Sequence, residues 1–481
     1  MNFLLKGHDR VNAVHELLIC LLPDEDHRQL TEGEPTGDRW LLSALEEGQV
    51  VCRGSWDGTA IRHVLPAPAD PGRDQRHLSQ TIRETVFEAL LPVIGQVPPW
   101  GLLTGVKPSK LVRAELERGG SPESADRLLK EKYRVSDRRR ALCLETGQIS
   151  HAMNRTIGPR DIDLYIGVPF CPAKCSYCSF VSNTVQNWGH LIKPYLEVLI
   201  EEITHTGRLV KQYNFAVRSV YFGGGTPTIF EHDDMERLLK AVTESFDTAG
   251  IEFTVEGGRP ETLDEAKLRL LARYGVTRIS VNPQSMHQDV LNGVGRCHSI
   301  ESIVETYRLA RRCGDFIINM DLIAGLPGDD EAGLLDSVRQ VLALEPDNLT
   351  IHCLARKRGA PLRFGKQGTL PAEAMDRCHD AVFAAGYRPY YLYRQKYMAG
   401  GLENVGFCKP GTENRYNVVM MEELAPVAAL GCGGIGKVLR GENAIKRYAN
   451  PKYPIEYIQR RESILAEKTE QFAAMAEACR D

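Results

Sequence analysis

Leu164-Tyr165-Ile166-Gly167-Val168-Pro169-Phe170-Cys171-Pro172-Ala173-Lys174-Cys175-Ser176-Tyr177-Cys178 opens with a short apolar run and ends in three thiols spaced CxxxCxxC. Leu164–Val168 reads as a strand that Pro169 stops. Outward from it the same alternation repeats. Strands are expected at Leu164–Val168, Ser219–Phe222, Glu252–Val255, Arg278–Val281, Ile317–Ile323 and Leu349–Cys353. Charged segments of helical period lie between them, near 190–213, 233–247, 264–273, 300–313 and 331–344. Six β-then-α units in a row imply parallel strands with right-handed crossovers. They suit a doubly wound sheet or part of a barrel; a full eight-unit barrel needs more units than these.

The thiol loop leaves the carboxyl end of the first strand, where such sheets bind ligands. Structural zinc usually shows paired CxxC elements, and no second pair follows at suitable spacing. Three thiolates suit a cubane iron–sulfur cluster with one iron left free of protein ligands. The alternatives are zinc completed by a distant His or Cys, or three free core thiols.

Composition narrows the class. The chain has 481 residues, 59 Lys+Arg against 63 Asp+Glu, 43% hydrophobic and 25% charged residues, which is ordinary globular make-up. The near-neutral balance argues against bulk binding of nucleic acid, and no nucleic-acid partner is expected. No uncharged apolar run reaches the roughly 18 residues of a membrane span. The start lacks a basic segment followed by an apolar one, so the expected compartment is the cytoplasm. Thirteen Cys, ten of them dispersed, are a poor disulfide framework.

Three segments are expected: 1–155 as an accessory domain, 156–385 as the βα region, and 386–481 as a C-terminal α+β extension covering substrate. Arg138-Arg139-Arg140 reads as a solvated helix face. Gly431 to Lys437 lacks Walker spacing and reads as a turn near the site. Cys408 and Cys432 read as buried or incidental thiols.

CxxxCxxC with Tyr177 before its last Cys resembles the radical S-adenosylmethionine (SAM) superfamily. That likeness implies an α/β fold built on a partial (β/α)6 barrel, a 4Fe-4S cluster on Cys171, Cys175 and Cys178, and SAM on the open iron. Further phrases are Tyr221 to Thr228, Val255 to Pro260, Asn282 to Ser285, Gly295-Arg296, Met320 to Gly328, Tyr390 to Lys396 and Glu403 to Gly406. With these the chain resembles the coproporphyrinogen III oxidase-like branch, closest to its HemZ-type dehydrogenases. By that resemblance Tyr165 and Tyr177 are SAM-contacting aromatics. Gly224, Gly225 and Thr226 form the SAM amino site. Glu256, Gln284, Arg296 and Asp321 are polar SAM contacts, Asp321 at the ribose, and Ala355 lies at the adenine. Some members bind a second SAM. No catalytic residue is assigned.

The implied reaction is oxidative decarboxylation of coproporphyrinogen III propionates to vinyls, with a flavodoxin or ferredoxin as reductant. The alternatives are methyl transfer to, or ring opening of, another tetrapyrrole, and haem binding or delivery. Substrate carboxylates need Arg or Lys forks. Candidates are Arg356, Lys357, Arg358, Arg394 and Lys396, with Tyr391, Tyr393 and Tyr397 as walls or a mixed surface strand. Two departures from the branch stand out. Gly167 replaces the usual His of Tyr-x-His-(Ile/Val)-Pro-Phe-Cys, and Asn282-Pro283-Gln284 replaces Gly-Val-Gln.

Overall fold

The computed structural model describes every residue except 24, 32–36, 181–182, 297, 356–359, 361–369, 441–443 and 480–481. Arg356, Lys357 and Arg358 therefore lie outside the described residues. The chain forms two compact units. One is built from Met1–Gln148, Thr369–Glu373 and Tyr393–Glu403, the other from Ile149–Gly368, Ala374–Leu392 and Asn404–Asp481.

The first unit is a five-stranded sheet in the order 28–29, 2–6, 39–46, 49–56, 59–66. Phe3, Leu41, Val50 and Ile61 from the sheet share a core with Val14, Leu17 and Leu18 of helix Val11–Leu21. Ile82, Val86 and Leu90 of helix Gln75–Ile94 complete it. Arg138–Arg140 departs from the expected solvated face. Arg139 is 1% exposed, and its Nε lies 3.1 Å from Glu403 Oε1. Trp100 donates its indole N–H to the same carboxylate at 2.7 Å. Glu403 is 264 residues further along, so no local pattern announces the pair. Arg394 is also buried here. It donates to the carbonyls of Leu103 and Gly401 and lies over the Trp100 ring at 5.0 Å. Lys396 pairs with Glu16 at 2.9 Å.

The second unit carries β1 (Asp161–Val168), α1 (Ile192–Gln212), β2 (Ala216–Gly224), α2 (His232–Ser245), β3 (Glu252–Glu256) and α3 (Glu265–Arg273). β4 (Arg278–Ser280), α4 (Ile300–Cys313), β5 (Ile317–Ala324), α5 (Glu331–Ala343) and β6 (Asn348–Cys353) follow. Strands β1 to β6 are parallel and adjacent in chain order. Each begins and ends within three residues of its expected limits. The helix starts follow cap chemistry: Asp264, Ser299 and Asp330 accept backbone N–H groups of Lys267, Ser302 and Gly333.

The later segment extends the same sheet. β7 (Arg388–Tyr393), β8 (Asn404–Cys408), α6 (Arg415–Glu422), β9 (Val427–Gly431), β10 (Ile435–Arg440), β11 (Ala444–Ala449) and α7 (Arg461–Ala478) complete the unit. The eleven strands run β7-β8-β6-β5-β4-β3-β2-β1-β9-β10-β11. β8 is antiparallel to β6, and β9 is parallel to β1. Tyr391 on β7 fills the space beside Gly406, where a Cβ would stand 1.8 Å from its ring. Among the described residues no helix is long and apolar enough to cross a membrane.

A buried polar network fixes the end of β1. Glu202 on α1 accepts from the backbone N–H of Gly431 at 2.8 Å, Asn450 Nδ2 at 2.9 Å and the Tyr457 hydroxyl at 2.6 Å. Lys468 Nζ of α7 lies 3.2 Å from the same carboxylate, and both side chains are buried. Tyr195, also on α1, donates its hydroxyl to Gly167 O and accepts from Cys432 N at 3.0 Å. The strand that launches the thiol loop is thus held by residues from the C-terminal segment.

Candidate functional site

The carboxyl ends of the parallel strands place the predicted residues along one edge of the sheet. The thiol loop follows β1, Gly224 to Thr226 end and follow β2, and Glu256 ends β3. Gln284 and Arg296 follow β4, Asp321 lies on β5 and Ala355 follows β6.

The glycine turn after β2 lies against the thiol loop. Gly225 N donates to Val168 O at 2.7 Å and Thr226 N to Phe170 O at 2.8 Å. Gly224 takes φ +110°, a conformation that L side chains rarely adopt. A Cβ on Gly225 would stand 2.5 Å from Phe170 O and 2.9 Å from Cys171 Sγ. The Thr226 hydroxyl lies 3.5 Å from that sulfur.

Cys171 and Cys175 are buried and Cys178 half-buried. Burial pushes the thiols of Cys171 and Cys178 up. Arg259 Nη2 donates to Cys175 Sγ at 3.0 Å and to Ala173 O at 2.8 Å. Tyr177 packs against Val290, Val294, Ile323, Leu326 and Leu354, and its hydroxyl interacts with Cys175 and Arg296. Arg296 Nη1 donates to Asn282 O at 2.6 Å and to Gly258 O at 3.3 Å.

Gln284 is strained, with φ +70°. Its N–H donates to Asp321 O at 2.8 Å, and its carbonyl accepts from Ile323 N at 2.9 Å. Its Oε1 is buried and, among the described residues, without a hydrogen-bond partner, as is Arg296 Nε. Asp321 Oδ1 accepts from Asn319 Nδ2 at 2.7 Å and lies 3.8 Å from His352 Nε2. Burial pushes its carboxyl up, but His352, Asn319 and Thr350 outweigh that and hold it below its ordinary range. Tyr165 stacks on Tyr221 and Tyr416 at 6.3 and 6.1 Å between centroids. Ala355 is buried beside Leu354, whose N–H donates to Ala324 O at 3.0 Å.

Glu256 accepts from the Tyr221 hydroxyl at 2.5 Å. Burial holds its carboxyl at about 7; Asp321 repels its charge, while Tyr221, Gly224 N–H and His352 oppose the rise. The folded chain therefore keeps a proton that the unfolded chain releases above about 4.5. That contribution to stability is complete below the unfolded value and is lost as pH rises through the folded one. A shift of this size is worth roughly 3 kcal/mol. Urea unfolding of the SAM-free chain at pH 5 and 7.5 should show the loss, and E256Q should abolish it; equal pH dependence in both proteins would remove the assignment.

No sequence pattern gave Arg259, Tyr221 or Tyr416 a role in the site. Arg259 stands inside the phrase Val255 to Pro260, but its sulfur partner is 84 residues away. Tyr416 comes from α6, beyond the six βα units, and no signal marked it. The departure at Gly167 has a steric cause. A Cβ there would stand 2.6 Å from Cys432 O, because the turn after β9 occupies the place of a side chain.

Among the described residues no three His, Cys, Asp or Glu side chains are gathered to hold one metal ion. A cubane asks for a different arrangement, since each thiolate takes its own iron. Three thiols on one loop, one of them already receiving an N–H, suit that demand better than a single zinc. The buried, unpartnered Gln284 Oε1 and Arg296 Nε leave hydrogen-bonding capacity for a polar ligand beside them.

Residues 165–341 match the Radical SAM superfamily, which defines the class of this fold and site. The chain is 36% identical to the oxygen-independent coproporphyrinogen-III oxidase-like protein HemZ of Bacillus subtilis strain 168, over 91% of this chain and 90% of that protein. It belongs to this HemZ family of coproporphyrinogen-III oxidase-like radical SAM proteins. The heme chaperone HemW of Haemophilus influenzae is 27% identical over 62% of this chain and 76% of its own length. The solved coproporphyrinogen III oxidase HemN of Escherichia coli shares the fold, with a TM-score of 0.52 and 22% identity over 65% of this chain and 72% of that one.

Proposed function

We propose that the chain is a radical SAM oxidoreductase that decarboxylates two propionates of coproporphyrinogen III to vinyls without oxygen. The observation that carries this reading is the near full-length likeness to the HemZ protein, including the thiol loop. Cys171, Cys175 and Cys178 would hold the 4Fe-4S cluster. When bound, cluster and SAM supply a 5′-deoxyadenosyl radical that takes a hydrogen atom from the substrate. The chain's residues hold and orient. Gly224 and Gly225 let backbone approach the ligand, and Thr226 steadies Cys171. Gln284 and Arg296 offer free polar atoms, and Asp321 offers a carboxylate kept ionised by His352 and Asn319. Tyr177, packed on Val290, Val294, Ile323, Leu326 and Leu354, offers an apolar wall. Each of the two reacting propionates loses CO2, a hydrogen atom and one electron, so the reaction needs an electron acceptor.

A second reading, haem binding or delivery, is favoured by the likeness to the heme chaperone. Anaerobic incubation of the reduced, reconstituted protein with SAM and coproporphyrinogen III separates them. Vinyl product with 5′-deoxyadenosine supports decarboxylation. Stoichiometric haem binding without turnover supports delivery and overturns it; S-adenosylhomocysteine or a linear tetrapyrrole would indicate methyl transfer or ring opening.

Asp321→Ala should weaken SAM binding about tenfold, the loss of ~1.5 kcal/mol expected for a hydrogen bond to a charged group. Iron content should not change. Equal SAM affinity by equilibrium dialysis would remove Asp321 from the site.

A further inference from the structure

We propose that Arg259 tunes the redox potential of the cluster: its guanidinium donates a charge-assisted hydrogen bond to the sulfur of Cys175 and so favours the reduced state. The inference rests on the cluster reading above.

Arg259 is only 3% exposed. Its Nη2 bridges Cys175 Sγ at 3.0 Å and Ala173 O at 2.8 Å, so the fork spans the thiol loop rather than solvent. Nη1 is anchored by Glu261 Oε1 at 3.1 Å. The backbone is fixed too, because Arg259 O accepts from Thr262 N at 3.2 Å and from its hydroxyl at 2.9 Å. This side chain has one orientation, and its donor points at a ligand sulfur.

The consequence follows from charge. Reduction adds one electron to the cluster, and part of that charge falls on the ligand sulfurs. A fixed N–H donor and a positive charge beside one sulfur stabilise the reduced state more than the oxidised one. Burial weakens screening by water and enlarges the effect. Glu261 partly offsets the charge, but it is more exposed and lies on the far side of the fork. Arginine suits the task because it stays protonated and presents a rigid fork. Arg296 also interacts with Cys175, so two guanidiniums act on this sulfur.

The test compares wild type, R259Q and R259K after anaerobic reconstitution. Iron and sulfide are counted first, and the midpoint potential is then read by EPR-monitored titration. R259Q keeps an N–H donor and loses the charge; R259K keeps the charge and loses the fork. The expected result is full iron in both variants, with the equilibrium constant for reduction lowered about tenfold in R259Q, or 59 mV for one electron. R259K should fall between R259Q and wild type. A midpoint in R259Q within about twofold of wild type in that constant would overturn the inference. Iron loss from both variants would overturn it too, and would make Arg259 a fastening of the loop. Wild-type protein free of iron and sulfide would bring down the cluster reading itself, before either variant is measured.

Discussion

Cys175→Ala is expected to yield a folded chain that keeps neither iron nor SAM cleavage. Cys175 is the middle thiol of the loop, and the removal of one of three ligands leaves two irons without protein bonds. Even the outer partners of metal ligands are worth ~10–100-fold in affinity, so a direct ligand is worth more. The cost to the fold is small. Loss of the sulfhydryl is a change of roughly 1 kcal/mol in a loop already bonded through Ser176 N to Val294 O. Iron and sulfide analysis beside far-UV circular dichroism checks both halves. Wild-type iron content in the variant would contradict the ligand assignment, and collapsed secondary structure would show that the thiol serves the fold instead.

Glu202→Ala is expected to give the largest loss of stability in the second unit. It would leave Lys468 Nζ buried with, among the described residues, only Ala429 O as partner, and would strip an acceptor from Gly431 N, Asn450 and Tyr457. Removing one partner of a buried ion pair costs about 3–5 kcal/mol. That corresponds to a thermal midpoint lower by roughly 10 °C. Glu202→Leu combined with Lys468→Met should recover part of the loss, because no lone charge stays buried. A midpoint within about a degree of wild type would show that the network contributes little. Because Gly431 packs on Gly167, where a Cβ would meet Gly167 O at 2.3 Å, cluster retention should fall with stability.

The site was legible to different depths. Cys171, Cys175 and Cys178 are near neighbours in sequence, so their spacing favoured iron and sulfur over zinc or free thiols. The glycines after β2 were legible because positive φ and close backbone approach select one residue type. Arg259 was not, because its partner lies two βα units and 84 residues away and no spacing rule links them. Nor was the burial of Arg139 and Arg394, both of which meet partners hundreds of residues distant. A basic run in sequence looks the same whether it faces water or a buried carboxylate.

Local chemistry by itself determined the six βα units, the helix caps and the thiol loop, since each depends on periodicity, turn residues and spacing within about 30 residues. Only the tertiary structure decided that β9 pairs with β1, that its turn takes the place of a side chain at Gly167, and that Glu202 and Lys468 meet beneath it. Strand order and side-chain partnership across that span are set by which buried surfaces and charges satisfy one another, and no window of the chain contains both halves of such a choice.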